Sequence, residues 1–180
     1  MKKYMSIIIR YLIILLIALP NLFIFYTVFT PLTIYPLYFI LQLFFDVSLS
    51  NATLLLNGFQ IQIINACIAG SAYYLLFALN LSVPGVILKQ RAKMLCFSFL
   101  FLLVLNIIRI LTLILVLFYG ASFFDITHKF FWYFISTLLV VLIWFAEVKV
   151  FKLKQIPVYS DLTYLYSMTK LKNKKKSKSS

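Results

Sequence analysis

Three residues that together could perform acyl transfer lie on successive apolar stretches of this chain. They are Cys67, Arg109 and His128, and the histidine is the only one in the sequence. A deprotonated thiol is a nucleophile, an imidazole carries protons near neutral pH, and a guanidinium stabilises developing negative charge. Their types and order predict a cysteine-dependent site, provided that the fold brings them to one place.

Cys67 is the candidate nucleophile because of its position at the start of an apolar stretch. Asn65, two residues earlier, has the chemistry of a helix N-cap, so the thiol would meet the positive end of a helix dipole, which favours the thiolate. The small residues Gly70 and Ser71 would let another helix or a substrate backbone approach closely. The alternative is that Cys67, like Cys96, is an inert small apolar residue.

Arg109 lies within an apolar stretch, where a charged side chain costs about 2.5 to 3.5 kcal/mol on insertion scales. Asn106, three residues earlier, would share its helix face, and its amide is expected to hold the guanidinium toward the interior of a bundle. The alternative is a structural arginine that pairs with backbone carbonyls or extends toward the membrane surface.

His128 is the candidate general acid and base, and its alternative role is that of an interfacial polar residue. Its neighbours Asp125 and Thr127 are expected to cap the following helix. One histidine and two separated cysteines cannot assemble the usual zinc ligand sets, so no metal and no cofactor are expected. The four carboxylates of the chain do not pair within any apolar stretch, which disfavours aspartyl and metal peptidases.

Composition places these residues in a membrane. Of the 180 residues 64% are hydrophobic and 12% are charged, against about 25% charged in soluble domains. The fold class predicted is all-α, a polytopic transmembrane helical bundle with about four crossings and a short re-entrant or interfacial hairpin. The net charge of +13 does not indicate nucleic acid, because Lys and Arg flank the apolar stretches or lie in the C-terminal tail.

The crossings are expected at residues 7–30, 66–83, 94–119 and 130–149. Residues 32–45 are few for a full crossing and are broken by Pro31 and Pro36, so a hairpin is expected there. The alternative is a fifth crossing, which would put the N-terminus and the basic cluster at residues 89–93 on opposite sides. Residues 46–65 read as a polar loop. The membrane-embedded catalytic domain would then cover residues 1–155, and residues 156–180 would form a basic cytoplasmic tail.

The positive charges predict the orientation. Clusters at residues 2–10, 89–93 and 149–154 fall on one side if there are four crossings, which places both termini in the cytoplasm. Cys67 and His128 then lie on the extracytoplasmic side of a multi-pass plasma membrane protein.

In the types and order of these residues the sequence resembles the exosortases and archaeosortases, in particular the small archaeal members such as the pacearchaeosortase branch. The matching pieces are Asn65-Ala66-Cys67-Ile68-Ala69-Gly70-Ser71, Asn106-Ile107-Ile108-Arg109-Ile110 and His128 at the start of the last helix. The resemblance covers roughly residues 65–144. Many members carry a hydroxyl residue directly after the cysteine, where this chain has Ile68.

The resemblance implies an activity and its partners. Secreted or surface proteins with a C-terminal sorting signal, made of a short motif, a transmembrane helix and a basic cluster, would be cleaved outside the membrane. Cys67 would form the acyl-enzyme, His128 would move the proton and Arg109 would stabilise negative charge. A membrane lipid or surface glycan precursor would accept the acyl group. The competing interpretation is a non-enzymatic small transporter or assembly scaffold, which accounts for Arg109 alone.

Overall fold

A computed structural model describes residues 2–56, 58–119, 129–130, 134–153 and 155–176. The chain is mostly helical, with a small antiparallel sheet near its middle. The elements in chain order are α1 Lys2–Ala18, α2 Phe23–Gln42, β1 Val47–Ser50, β2 Thr53–Leu56, β3 Phe59–Gln62, α3 Asn65–Ile68, α4 Gly70–Ser82, α5 Leu88–Tyr119, α6 Ser136–Val150 and α7 Tyr159–Lys176.

Two of the described helices, α2 and α5, are long and apolar enough to cross a bilayer, whereas α1 is apolar but shorter. Large apolar side chains are exposed on several helices, among them Leu16, Phe39, Leu100 and Phe145. Soluble monomers seldom expose extensive apolar patches. The helical part of the predicted fold is confirmed, and the two long apolar helices are consistent with association with a membrane.

The expected first crossing at residues 7–30 is wrong in its bounds, because the helix breaks at Pro20. Helix α1 ends at Ala18, and Asn21 and Leu22 both have the left-handed backbone conformation, with φ of 48° and 59°. Proline cannot donate the helical hydrogen bond, and two consecutive left-handed residues cannot continue a right-handed helix. The apolar stretch therefore forms two helices.

The hairpin expected at residues 32–45 is also wrong. Residues 32–42 are the second half of α2, which contains both Pro31 and Pro36. The helix continues because one face is held in the core: Phe29, Leu37 and Leu41 are all buried. This packing outweighs the backbone hydrogen bonds that the prolines remove.

The polar loop expected at residues 46–65 is instead a three-stranded antiparallel sheet in the order β1-β2-β3. Leu54 and Leu56 of the central strand are fully buried, and Leu55 between them is exposed. This alternation is the period of two that a strand imposes, and it anchors the sheet to the helical core. Gly58, with a φ of 88°, lies in the turn between β2 and β3.

Helix α5 runs antiparallel to both α4 and α6. Ser98 on α5 approaches Asn80 and Glu147, whereas the segment around Asn106 and Arg109 approaches Cys67 and Ser136. As residue numbers rise along α5, the numbers of its partners on α4 and on α6 fall. The crossing expected at residues 66–83 is split between α3 and α4, α5 begins before residue 94, and α6 begins at Ser136.

Helices α1 and α2 follow the direction of α5. The Arg10 side chain donates to the carbonyl of Leu81 at the end of α4, and the Tyr74 hydroxyl donates to the carbonyl of Ile14. Further along, Phe45 after α2 stacks on Phe118 at the end of α5. The chain direction therefore alternates from α1 and α2 to α4, to α5 and to α6. We call the two ends of this bundle the tail end, marked by Arg10, and the sheet end, marked by Phe118.

The tail end contains a buried polar network. The Glu147 carboxylate, fully buried, accepts hydrogen bonds from Asn80 and Ser98 at 3.0 and 3.1 Å. The Arg91 guanidinium donates to the carbonyls of Asn80, Leu81 and Val83 and so satisfies the end of α4. Residues 156–180 were expected as a basic cytoplasmic tail. Within them, α7 is bound to the bundle through Asp161, which pairs with Arg10 at 2.8 Å.

Candidate functional site

Cys67 lies on the one-turn helix α3, directly after the sheet. Its side chain is partly buried, and its backbone N–H donates to the carbonyl of Ile64 at 2.8 Å. The expected N-cap role of Asn65 is wrong: Ile64 occupies the cap position, no side chain makes a capping hydrogen bond, and Asn65 is the first helical residue. The extended backbone that follows β3 ends at Ile64, so the helix starts at Asn65, one residue earlier than the capping pattern requires.

A strained residue separates α3 from α4. Ala69 has a φ of 60° and a ψ of 37°, a left-handed conformation that costs a non-glycine residue about 1–2 kcal/mol. It ends α3 two residues after Cys67 and turns the chain into α4. The turn leaves the carbonyls of Ala66 and Cys67 outside any longer helix, where side chains of α5 reach them.

Arg109 is one of those side chains, and it is only 4% exposed. Its guanidinium donates to the carbonyl of Ala66 at 3.3 Å and to the hydroxyl of Ser136 at 2.8 Å. The bond to Ala66 places the guanidinium at the residue directly before Cys67. Arg109 therefore connects the cysteine segment to α6.

Asn106 does not hold the guanidinium as expected. Its amide donates to the carbonyl of Cys67 at 2.8 Å. The two side chains share a helix face, as the spacing predicted, but α3 lies against that face, and its two consecutive carbonyls each take one donor. Asn106 and Arg109 thus hold α3 through the carbonyls of two adjacent residues.

One nitrogen of the guanidinium makes no hydrogen bond to the described part of the chain. Arg109 Nε is buried and has no hydrogen-bond partner among the residues that the structure describes. A buried charged donor without an acceptor is costly, so an oxyanion or a carbonyl of a ligand bound beside it would stabilise this group.

His128 lies outside the described residues, as do Asp125 and Thr127, so its predicted place beside Cys67 stays a prediction. Cys96 is exposed on α5, and neither cysteine forms a disulfide. Within the described ranges there is no group of three or more metal-ligating side chains.

Two of the cavities that adjoin α3 differ in their lining. The first, of about 370 Å³, is lined by polar side chains and small residues, including Tyr26, Asn65, Ser71, Ser136 and Thr137; we call it the hydroxyl-lined cavity. The second, of about 210 Å³, is lined by Cys67, residues 61–64 and one side of α5; we call it the apolar cavity. Cys67 itself faces the apolar cavity, and its neighbour Ala66 faces the hydroxyl-lined one.

Ser136 and Tyr26 were not anticipated as site residues. Ser136 and Thr137 are adjacent hydroxyl residues within the apolar stretch at residues 130–149, which was an available signal for a polar contact in the bundle. For Tyr26 the sequence carries no comparable signal, because its place depends on its packing against Gly70.

Gly70 is required by this packing. A Cβ at this position would lie 2.6 Å from Tyr26 Cε1 and 2.7 Å from Tyr26 Cζ. We expect Gly70→Ala to destabilise the fold by about 1–3 kcal/mol, because the tyrosine ring must move. Unfolding in mixed micelles with increasing denaturing detergent measures this change. The double variant Gly70→Ala/Tyr26→Leu should lose less unfolding free energy than the two single variants lose in sum. If the losses are simply additive, the contact between the two residues is contradicted.

Comparisons with protein-family models, with curated proteins and with solved structures gave no match to this chain.

Proposed function

We propose that the protein is a membrane-embedded cysteine protease and transpeptidase of the exosortase and archaeosortase kind. The observation that carries the proposal is the placement of Arg109 and Asn106 on the consecutive carbonyls of Ala66 and Cys67. A cation held next to a thiol favours the thiolate and stabilises an oxyanion formed nearby.

The proposed reaction has two acyl transfers. His128 takes the proton of the Cys67 thiol, the resulting thiolate Sγ bonds to the scissile carbonyl carbon, the carbon–nitrogen bond breaks, and His128 delivers that proton to the leaving amine. Arg109, through its unpartnered Nε–H, donates to the oxyanion of the tetrahedral intermediate. A hydroxyl or amine of the acceptor then attacks the thioester, His128 takes its proton, and the Cys67 thiol is released.

We propose four crossings, with α1 and α2 together making the first, and with both termini in the cytoplasm. The alternating passes of the helices support this arrangement, as do the basic clusters near the tail end at residues 2–10, 89–93 and 149–154. Cys67 would then lie toward the extracytoplasmic side, in a plasma membrane.

The substrates would be secreted or surface proteins with a C-terminal motif, transmembrane helix and basic cluster, and the acceptor a membrane lipid or surface glycan precursor. This part rests on the resemblance of residues 65–144 to the family. The hydroxyl-lined cavity next to Ala66 has the polar side chains that an acceptor hydroxyl or amine would need.

The test is co-expression with a host protein that carries such a C-terminal signal, followed by mass spectrometry of that protein. Wild type and Cys96→Ala should remove the tail, and Cys67→Ala should not. Cys96 is the matched control because it is an exposed cysteine on α5, outside both cavities. Equal processing by both variants would contradict the proposal.

A non-enzymatic scaffold or small transporter is the second candidate. One observation favours it: Arg109 and Asn106 satisfy carbonyls at the end of α3, which is a sufficient structural role for both residues. That candidate predicts that Cys67→Ala is silent in every assay, whereas Arg109 variants lose stability only.

A further inference from the structure

The outer edge of strand β3 presents regularly spaced backbone groups. In the antiparallel pair β2/β3, Thr53 lies opposite Gln62 and Leu54 opposite Ile61, and the N–H of Ile63 donates to the carbonyl of Ala52 at 2.9 Å. Hydrogen-bonded pairs alternate along such a ladder, so Ile61 and Phe59 also point their backbone groups at β2.

It follows that Gln60 and Gln62 direct their N–H and C=O groups away from β2. No strand among the described residues pairs with this edge, since the sheet order is β1-β2-β3. Both glutamine residues are exposed. Two outward donors and two outward acceptors, spaced two residues apart, match the backbone of an extended peptide.

This edge leads directly to the candidate nucleophile. Cys67 follows Gln62 by five positions. The backbone between them stays extended through Ile64. Residues 61–64 and Cys67 line the same apolar cavity, together with Ile110 and Ile114 of α5. A peptide paired with β3 would therefore run beside a cavity that reaches the cysteine.

We propose that β3 binds the substrate by strand addition: an extended peptide pairs with the outward groups of Gln60 and Gln62 and places one apolar side chain in the apolar cavity. The proposal rests on the proposed function, since it describes how the scissile segment reaches Cys67. Main-chain pairing supplies affinity for any extended sequence, and the cavity selects an aliphatic side chain.

The other edge of the sheet does not offer this arrangement. Strand β1 packs against α2, and its residues Val47 and Leu49 pack against the hydrophobic core. It precedes Cys67 by 17 residues or more, and no residue of β1 lines the apolar cavity. The occupant is thus expected at β3 alone.

The experiment uses the full chain in detergent micelles with Cys96→Ala, so that Cys67 is the only thiol. The probe is acetyl-Ser-Leu-Ser-Leu chloromethyl ketone, which forms a carbon–sulfur bond with the thiol and releases chloride, while the thiol proton passes to solvent. Two further probes carry N-methyl groups on alternate backbone amides. In one probe the methylated amides lie on one edge of the extended peptide, and in the other probe they lie on the opposite edge. Chloroacetamide measures the reactivity of Cys67 by itself, and mass spectrometry gives each labelling rate.

We expect the unmethylated peptide to label at least tenfold faster than chloroacetamide. One methylation pattern should lower that rate about tenfold and the other should change it very little, since only one edge of the peptide donates to β3. The variant Gln62→Pro removes one outward N–H without touching the β2 ladder, and it should lower the ratio of peptide rate to chloroacetamide rate several-fold.

The outcomes separate this proposal from the function on which it rests. If chloroacetamide labels Cys67 readily and both methylated peptides label as fast as the parent, strand addition is wrong and the nucleophile survives. If neither reagent labels Cys67, both proposals fail. Because the methylated probes act on the protein with β3 unchanged, the result does not depend on whether Gln62→Pro folds.

Discussion

Arg109→Lys is expected to slow processing of a tail-bearing substrate by about 10²–10³-fold, the usual effect of losing one oxyanion donor. Lysine keeps the charge but has a single ammonium group at the end of its stem. It cannot donate at once to Ala66 and Ser136 and still present a third donor where Arg109 Nε lies. The measurement is the single-turnover rate of tail release per folded enzyme.

Arg91→Lys is the matched control for this prediction. Arg91 lies on the same helix, is 9% exposed, and donates to backbone carbonyls as Arg109 does, but at the tail end of the bundle. Its replacement should lower stability and leave the rate per folded molecule unchanged. If both variants lose stability and neither loses rate, Arg109 is a structural residue and the catalytic role is wrong.

Ser136→Ala gives a graded version of the same test. It removes only the acceptor for Arg109 Nη1 and leaves the bond to Ala66 in place. A loss of about tenfold, smaller than that of Arg109→Lys, would show that Ser136 positions the guanidinium.

The approach of Arg109 to the segment that carries Cys67 could be anticipated from the order of residues along the apolar stretches and from the cost of a charge in lipid. The hydrogen bonds from Arg109 and Asn106 to the carbonyls of α3 could not be anticipated. They depend on Ala69, whose left-handed conformation ends α3 and turns its carbonyls toward α5, and an alanine gives no sequence signal for that conformation. The direction of the Asn106 amide was mistaken for this reason.

The sheet was predictable in part. Asn57 and Gly58 form an Asn-Gly pair between alternating apolar residues, which is a strong hairpin signal. The short strands and their glutamines instead resembled a polar loop. The helix through Pro31 and Pro36 was harder to foresee, because only tertiary packing of its buried face compensates for two prolines.

The docking of the tail was missed because Asp161 is the only acidic residue among many lysines, and a lone carboxylate in a basic segment is ordinarily solvated. In the fold it is 2% exposed and opposite Arg10, which is 151 positions away in sequence. Nothing local to either residue indicates that pairing.

The last prediction concerns this pair. Arg10→Met should destabilise the bundle by about 3–5 kcal/mol, since it leaves the Asp161 carboxylate buried without its cation. Arg10 Nη2 donates to both carboxylate oxygens, at 3.0 and 2.8 Å, and the Tyr11 hydroxyl at 3.3 Å is too weak a substitute. Unfolding in mixed micelles with a denaturing detergent gives the free energy, and limited proteolysis at residues 151–158 reports release of α7.

The double variant distinguishes lost pairing from lost packing. Arg10→Met/Asp161→Asn removes the buried charge that Arg10→Met alone leaves without a partner. The double variant should therefore be more stable than Arg10→Met by about 1 kcal/mol or more, which is the size of coupling expected between residues in contact. Lys93→Met, at an exposed cation on α5, should change stability by no more than about 0.5 kcal/mol. If instead the double variant is as unstable as the sum of the single ones, the salt bridge does not hold the tail, and α7 is bound to the bundle by other contacts.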